Sequence, residues 1–204
     1  VVSVSDLPFV GREDELDILS AHYESISGES GWIDIISGEP GIGKSALTRA
    51  YEQRCVDAGR SVHIGRCTDG DAASSLPWIE IVRSVGSSVD IGKFAAEANV
   101  RFDALDALVP GLLPREAVER AADTPRFLEA QPPKMLLHRA ILELFRFACA
   151  SCPIVLILED LHWADDATCD LLGFVAREIE RLPVHLVCTF RSTAIGARSP
   201  AAKI

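Results

Sequence analysis

The eight residues Gly38–Ser45 (GEPGIGKS) constrain what this chain can fold into more than any other part of it. They match the pattern G-x-x-x-x-G-K-[ST], a phosphate-binding P-loop in which glycines let successive backbone amides point into one concavity. Lys44 places a positive charge at the terminal phosphates, and the hydroxyl of Ser45 lies where Mg2+ binds in such loops. The pattern predicts a strand before the loop and a helix after it, whose N-terminal dipole also favours an anion.

The flanking sequence has the order that a P-loop requires. The β-branched run at residues 32–37 (WIDIIS) follows a turn-forming segment and predicts a strand. After the loop, apolar residues recur at helical spacing until Gly59, which predicts a helix. Our candidate nucleotide-binding residues in this segment are Gly38, Pro40, Gly41, Ile42, Gly43, Lys44, Ser45 and Ala46.

Three further strands are predicted, at residues 61–67, 154–158 and 184–190. The second of these (IVLIL) is an uninterrupted apolar run, typical of a central parallel strand that is covered on both faces. A broad apolar stripe predicts a helix at 134–150, and residues 90–133 indicate a helical insertion of short helices separated by turns. Since strands and helices alternate, the predicted fold class is α/β: a three-layer sandwich with a mostly parallel sheet and the ligand at the C-terminal ends of the strands.

Two carboxylates, Glu159 and Asp160, follow the apolar strand directly. A strand of this kind that ends in acids is a Walker B pattern, in which one carboxylate binds Mg2+ and another orients or activates the attacking water. In a chain without a P-loop, the same acids would be interpreted as a solvated strand end or a helix cap. Neighbouring residues on a strand face opposite ways, so the two acids are expected to have different roles.

Arg191 ends the fourth strand, where an arginine can reach the γ-phosphate and stabilise charge during phosphoryl transfer. The candidate catalytic residues are therefore Asp160, Glu159 and Arg191, and the candidate metal ligands are Ser45 and Glu159. Beyond the acids, Asp165 or the next residue is expected to cap a helix.

Composition and charge disfavour other classes of function. With 20 Lys and Arg against 30 Asp and Glu, the formal net charge is −10, so this segment should repel nucleic acid. No apolar run approaches the roughly 20 residues of a membrane span, and no basic-then-apolar leader opens the chain, so a cytoplasmic location is expected. Cys149 and Cys152 form a lone C-x-x-C, for which buried, reduced thiols are expected rather than a zinc or redox site. The start at Val1 suggests that residues 1–204 are one ATPase core cut from a longer chain.

The order of the motifs closely resembles the AAA-type ATPase module of the STAND superfamily. The closest likeness is to the ATPase domain of large LuxR-type bacterial transcription regulators and to the related domain attached to some nucleotide cyclases. The motifs that carry the resemblance are FVGRE at residues 9–13, GEPGIGKS at 38–45, LILEDLHWADDA at 156–167 and CTFR at 188–191.

The resemblance implies roles for individual residues. Val10, Gly11 and Arg12 would line the adenine side of the site. Lys44 and Ser45 would be the Walker A pair. Glu159 and Asp160 would be the Walker B acids, and Arg191 would be the sensor-1 arginine. The implied ligands are ATP or ADP with Mg2+. The implied partners are effector domains outside this segment, such as a DNA-binding helix-turn-helix or a cyclase, together with nucleotide-dependent self-association.

Two departures limit what the resemblance implies. Related ATPases usually have Asp where this chain has Glu159, so which acid holds the metal stays open, as does weak or absent hydrolysis. Nothing after Arg191 supplies a fifth strand, a helical lid or a winged-helix domain, so the segment resembles an incomplete core that lacks its lid. Our leading hypothesis is an ATP-binding regulatory switch that hydrolyses slowly. The alternatives are a nucleotide-binding scaffold without turnover and a P-loop small-molecule kinase, for which the sequence offers no Arg-rich lid.

Overall fold

The computed structural model of the chain describes residues 11–26, 30–69, 75–98, 100, 102–122 and 132–192, with only the backbone of residues 120–122. The strands are β1 (Trp32–Gly38), β2 (Ser61–Arg66), β3 (Ile154–Glu159) and β4 (Val184–Arg191). The α-helices are α1 (Glu13–Ser25), α2 (Lys44–Asp57), α3 (Leu76–Ser88), α4 (Ile91–Glu97), α5 (Phe102–Leu108), α6 (Arg115–Ala122), α7 (Pro133–Ala148) and α8 (Asp166–Glu178). Single 3-10 turns follow β3 at Leu161–Trp163 and α8 at Ile179–Arg181.

The four strands form one parallel sheet in the order β1-β4-β3-β2. Gly38 at the end of β1 is in register with Arg191 of β4, and Arg66 at the end of β2 is in register with Glu159 of β3. The carboxyl ends of all four strands therefore lie at the same edge of the sheet. This architecture confirms the predicted α/β class with a parallel sheet.

Helices cover both faces of the sheet, which makes the three predicted layers. One face packs against α1 and α2, through a cluster that includes Leu19, Leu47 and Tyr51. The other face packs against α3, α7 and α8, through a cluster that includes Trp78 and Phe145. Along β3 the side chains alternate between these clusters, and all six are buried. Burial on both faces explains why this strand has an apolar run instead of alternating polarity.

The short helices α4, α5 and α6 extend the second of these clusters instead of forming a core of their own. Phe94 makes edge-on ring contacts with Phe102 and Phe147, with ring centroids 5.7 and 5.5 Å apart. Leu105 and Ala117 are buried in the same cluster. The sequence indicated short helices here but did not indicate how they pack.

Local sequence signals explain where elements end. Helix α7 ends at Ala148, two residues before the predicted end, with Cys149 as its C-cap and the Cys149 amide donating to the Phe145 carbonyl at 2.9 Å. Asp165 caps α8 as expected, accepting from the amide of Thr168 at 2.8 Å. Cys149 is buried but Cys152 is exposed, which corrects the expectation that both thiols are buried. Among the helices that the structure describes, none has the length and apolar character of a membrane span.

Candidate functional site

The P-loop connects β1 to α2 through two glycines in the left-handed region. Gly41 has φ 79° and Gly43 has φ 97°, a conformation that a side chain would strain. The amide of Ala46 is the first in α2 to bond back along the helix, to the carbonyl of Gly43 at 3.1 Å. The amides of Lys44 and Ser45 come before it and have no carbonyl one turn back, as at any helix N-terminus. They are available to an anion at the positive end of the helix dipole.

Lys44 folds its ammonium into this loop. The residue is only 7% exposed, and Nζ donates to the carbonyl oxygens of Gly38 at 2.9 Å and Glu39 at 3.0 Å. A buried ammonium requires partners, and two neutral carbonyls satisfy only two of its three N–H donors. Phosphate oxygens would be stronger acceptors, because both partners of the hydrogen bond would then be charged.

Arg12 holds the P-loop from outside. Its Nη2 donates to the carbonyl of Ile42 at 2.6 Å, and its Nη1 lies 3.7 Å from the Glu15 carboxylate. Gly11, with φ 87°, leads the chain into this position. The resemblance placed Arg12 on the adenine side of the site, and the structure places its guanidinium against the main chain of the P-loop. Val10 lies outside the described residues.

Glu159 is the last residue of β3, and both of its carboxylate oxygens are engaged. Oε1 accepts from the hydroxyl of Thr48 at 2.6 Å, and Oε2 accepts from Nε of Arg66 at 2.6 Å. Only 9% of the Glu159 side chain is exposed. The hydrogen bond and the negative charge of Glu159 raise the pKa of Arg66 above its usual value. Glu159 is therefore a buried carboxylate whose charge the protein itself balances.

Sequence reasoning missed Thr48 and Arg66. Thr48 lies on α2 one turn beyond Ser45, whose hydroxyl is at the exposed start of the helix. Arg66 ends β2 as Glu159 ends β3, so the parallel register was a signal that could have paired them. The strand order was needed to use that signal.

Asp160 lies in a different environment from Glu159. It has left-handed backbone with φ 58°, and its amide donates to the hydroxyl of Thr189 on β4 at 2.9 Å. Its side chain is 41% exposed. The two acids do differ, but not because they alternate along a strand: the chain leaves β3 at Asp160. The Asp160 carboxylate is therefore partly open to solvent, whereas that of Glu159 is buried.

The 3-10 turn after Asp160 brings an imidazole and an indole to the same edge. His162 has 3% of its side chain exposed, and its Nδ1 lies 3.8 Å from Oδ1 of Asp160. Burial lowers the pKa of His162, opposed by Asp160 and reinforced by the charges of Arg191 and Lys44. The guanidinium carbon of Arg191 lies 5.8 Å from the ring centroid of Trp163, a cation–π contact.

The donor set at this edge fits Mg2+, which prefers oxygen ligands and keeps several waters. The Ser45 hydroxyl is exposed at the first turn of α2, and the carboxylates of Glu159 and Asp160 follow β3. The described site residues lie on the P-loop and the first turn of α2, just before α1, and at the carboxyl ends of β3 and β4. Each Glu159 oxygen already accepts one hydrogen bond, so Mg2+ would have to share that oxygen with Thr48 or Arg66, or displace one of them.

Comparison with known proteins gives three findings. Residues 8–188 match the sequence model of a family described as the AAA ATPase domain. The chain is 30% identical over 190 residues to an uncharacterised protein of Rhizobium meliloti (strain 1021), covering 90% of this chain but 18% of that protein. Among solved structures, the Aeropyrum pernix ORC1 protein in complex with DNA aligns with 96% of this chain and 43% of its own, with 15% identity and a TM-score of 0.47.

Proposed function

The chain belongs to the AAA ATPase domain family, and from that premise we propose that it is the ATP-binding core of a regulatory switch. ATP occupies the P-loop with Mg2+, slow hydrolysis to ADP resets the site, and the nucleotide state controls an effector outside residues 1–204. The proposed group within the family is the STAND superfamily, as in large LuxR-type regulators. The family supports a nucleotide-binding module, and the motif order supports the finer assignment.

The observation that carries this proposal is the state of Lys44. Among the described residues, the partners of its buried ammonium inside the P-loop are the carbonyls of Gly38 and Glu39. Exchanging these for phosphate oxygens gives the ammonium charged acceptors and lets the loop amides bind the same anion. Nucleotide binding therefore satisfies groups that the protein alone satisfies poorly.

The remaining residues have separate proposed tasks. Asp160, partly exposed after β3, orients the attacking water and takes its proton as the water oxygen bonds to the γ-phosphorus and the bond from that phosphorus to the bridging oxygen breaks, which releases ADP. Arg191 can leave Trp163 to stabilise the charge that develops on the transferring phosphoryl group. Bound Mg2+ supplies further positive charge to the phosphate oxygens. Arg12, through Ile42, keeps the loop in its binding conformation.

A scaffold that binds nucleotide without turnover is the second candidate. The observation that favours it is Glu159, because Thr48 and Arg66 already occupy both carboxylate oxygens. A carboxylate balanced in this way is a weaker metal ligand than a free one. Single-turnover hydrolysis measurements separate the two candidates.

The proposed effector is a domain outside this segment. The chain spans less than a fifth of its Rhizobium meliloti relative, which supports a longer protein in which the ATPase core is one part. A DNA-binding helix-turn-helix or a nucleotide cyclase is the proposed output, with nucleotide-dependent self-association as the proposed means of control.

Binding of ATP and ADP to the purified protein tests the proposal, with folding checked by circular dichroism. We expect Lys44→Ala to weaken ATP binding at least tenfold, because the buried ammonium contacts the terminal phosphates. The matched control is Lys93→Ala, which removes an exposed lysine of α4 whose ion pair with Glu97 spans 3.9 Å. Folded wild-type protein that binds no adenine nucleotide, or equal affinities for Lys44→Ala and wild type, would refute it.

A further inference from the structure

Arg66 is the one cation that bonds the Glu159 carboxylate among the residues that the structure describes. The guanidinium approaches from the end of β2, because Arg66 and Glu159 are register partners on adjacent parallel strands. Thr48 holds the other oxygen from α2. The carboxylate therefore bridges the sheet and the P-loop helix, and its negative charge is balanced before any metal arrives.

Arg66 is built to release this contact without opening the core. Its side chain is 58% exposed, whereas that of Glu159 is 9% exposed. Arg66 lines an open cavity of about 470 Å³ beside α3, together with Glu80 and Arg83. Its own amide donates to the Glu80 carboxylate at 2.9 Å, so a second acid lies next to it.

We propose that Arg66 is a positioning residue that competes with Mg2+ for the Glu159 carboxylate and so sets how strongly Mg2+ tightens nucleotide binding. This inference rests on the proposed function. When Mg2+ enters with the nucleotide, the guanidinium moves from Glu159 toward Glu80 in the open cavity. Thr48 keeps the carboxylate in place during the exchange. The longer side chain of Glu159 suits this arrangement, since the extra methylene carries its carboxylate toward Arg66 and Thr48.

A carboxylate that is paired with a guanidinium attracts a second cation less strongly than a free carboxylate does. Removing the guanidinium should therefore increase Mg2+ affinity, although it removes an interaction from the site. A merely structural role for Arg66 predicts lower stability with an unchanged response to Mg2+. The two roles thus give different results in one measurement.

The experiment measures the dissociation constant of a fluorescent ATP analogue in EDTA and in saturating Mg2+. For each variant, the constant in EDTA is divided by the constant in Mg2+, so a larger ratio means that Mg2+ tightens binding more. We expect Arg66→Ala to raise this ratio roughly three- to tenfold over wild type, by loss of one nearby positive charge. The matched control, Arg83→Ala, removes the same charge from the same cavity, and its ratio should change less than twofold. In a Glu159→Gln background, Arg66→Ala should leave the ratio unchanged.

A ratio that does not rise in Arg66→Ala, or that rises equally in Arg83→Ala, overturns the proposal. If Arg66→Ala does not fold, Arg66→Gln takes its place. Glutamine keeps part of the side chain and a polar end but removes the charge, so its ratio should also lie above that of wild type, and an unchanged ratio counts against the proposal. Wild-type protein that binds no analogue in either condition defeats the proposed function as well. If the wild type binds the analogue but Arg66→Ala has the same ratio as wild type, only the proposed role of Arg66 is refuted.

Discussion

The hydroxyl of Tyr51 lies 2.6 Å from Nδ1 of His185, at the end of the sheet opposite the P-loop. The other ring nitrogen of His185 donates to Asp34 at 2.8 Å, and Nδ1 of His22 donates to the same carboxylate at 2.8 Å. With Nε2 as the donor, a neutral His185 accepts the Tyr51 proton at Nδ1. These four side chains join α2, β4, β1 and α1. Each of these elements carries or adjoins a candidate site residue at its other end, so the network fixes their relative positions.

Replacing Asp34 should destabilise the protein, because two imidazoles lose their shared acceptor. We expect Asp34→Ala to lower the free energy of unfolding by about 2–3 kcal/mol, measured by urea denaturation. The exposed Asp17, whose carboxylate pairs with Arg54 at 2.6 Å, provides the control. Asp17→Ala should cost less than about 1 kcal/mol. Equal losses for the two variants would mean that the network does not contribute as described.

The lowered pKa of Asp34 makes the stabilising effect of this network depend on pH. Burial raises that pKa, but hydrogen bonds from His185 and His22 outweigh it, so the net shift is downward from 3.8. An acid whose pKa is lower in the folded state stabilises the protein above its unfolded pKa. The contribution is therefore complete above about pH 4 and is lost as the pH falls further.

His63 should make the protein sensitive to mild acid. Its ring lies between the hydroxyls of Ser61 and Ser84, at 2.9 and 2.8 Å, and burial lowers its pKa from 6.5 to about 4. The unfolded chain then binds a proton that the folded chain does not, so stability falls as the pH drops from 6.5 towards 4. Over that interval we expect a loss of about 3 kcal/mol from this residue.

Urea denaturation of wild type and His63→Gln at a series of pH values checks this prediction. Glutamine keeps polar contacts with both serines but does not titrate, so the variant should lose less stability between pH 6.5 and 4.5. Burial also lowers the pKa values of His138 and His162, so some pH dependence should remain. Identical pH dependence in the two proteins would show that His63 does not titrate as the structure implies.

Thr48 should matter to stability through its hydrogen bond to Glu159, which is shorter than the contact of its hydroxyl with the Ser45 carbonyl at 3.3 Å. It is 2% exposed, and its hydroxyl donates to Oε1 of Glu159 at 2.6 Å. Thr48→Val removes the donor and leaves a buried carboxylate oxygen unpaired, which should cost about 1–3 kcal/mol of unfolding free energy. Thr48→Ser keeps the hydroxyl and should lose less. Thermal unfolding in EDTA compares the two variants. Equal melting temperatures would show that loss of this hydrogen bond does not cause the loss of stability.

The sequence was sufficient for those parts of the site that depend on short-range patterns. The P-loop has its own signature, and Glu159 lies at the same edge of the sheet because parallel strands end there. Contacts between distant residues were not predictable, since a position such as Thr48 looks like any helical threonine until Glu159 lies opposite it. The contact from Arg12 to Ile42 likewise joins residues thirty positions apart. The strand order decides these neighbours, and it arises from packing of the whole chain.

The left-handed backbone of Asp160 also had no sequence signal. An aspartate at φ 58° is tolerated because Thr189 holds its amide and β3 holds the residue before it. Asparagine is also accepted in this region of backbone space, so Asp160→Asn should fold without loss. That makes it a suitable variant for testing chemistry apart from structure.

If Asp160 accepts the proton of the attacking water, Asp160→Asn should slow single-turnover ATP hydrolysis by about 10²- to 10⁴-fold. The affinity for ATP should change little, because the phosphates are held by Lys44 and the loop amides. Glu159→Gln provides the comparison: it replaces a carboxylate that Thr48 and Arg66 already engage, so it should alter the response to Mg2+ more than the hydrolysis rate at saturating Mg2+. Equal hydrolysis by wild type and Asp160→Asn would exclude Asp160 as the base, whereas binding of ATP without hydrolysis in wild type would favour the scaffold without turnover. A larger rate loss in Glu159→Gln than in Asp160→Asn would instead assign the base to the buried acid, which requires Arg66 to leave it before each turnover.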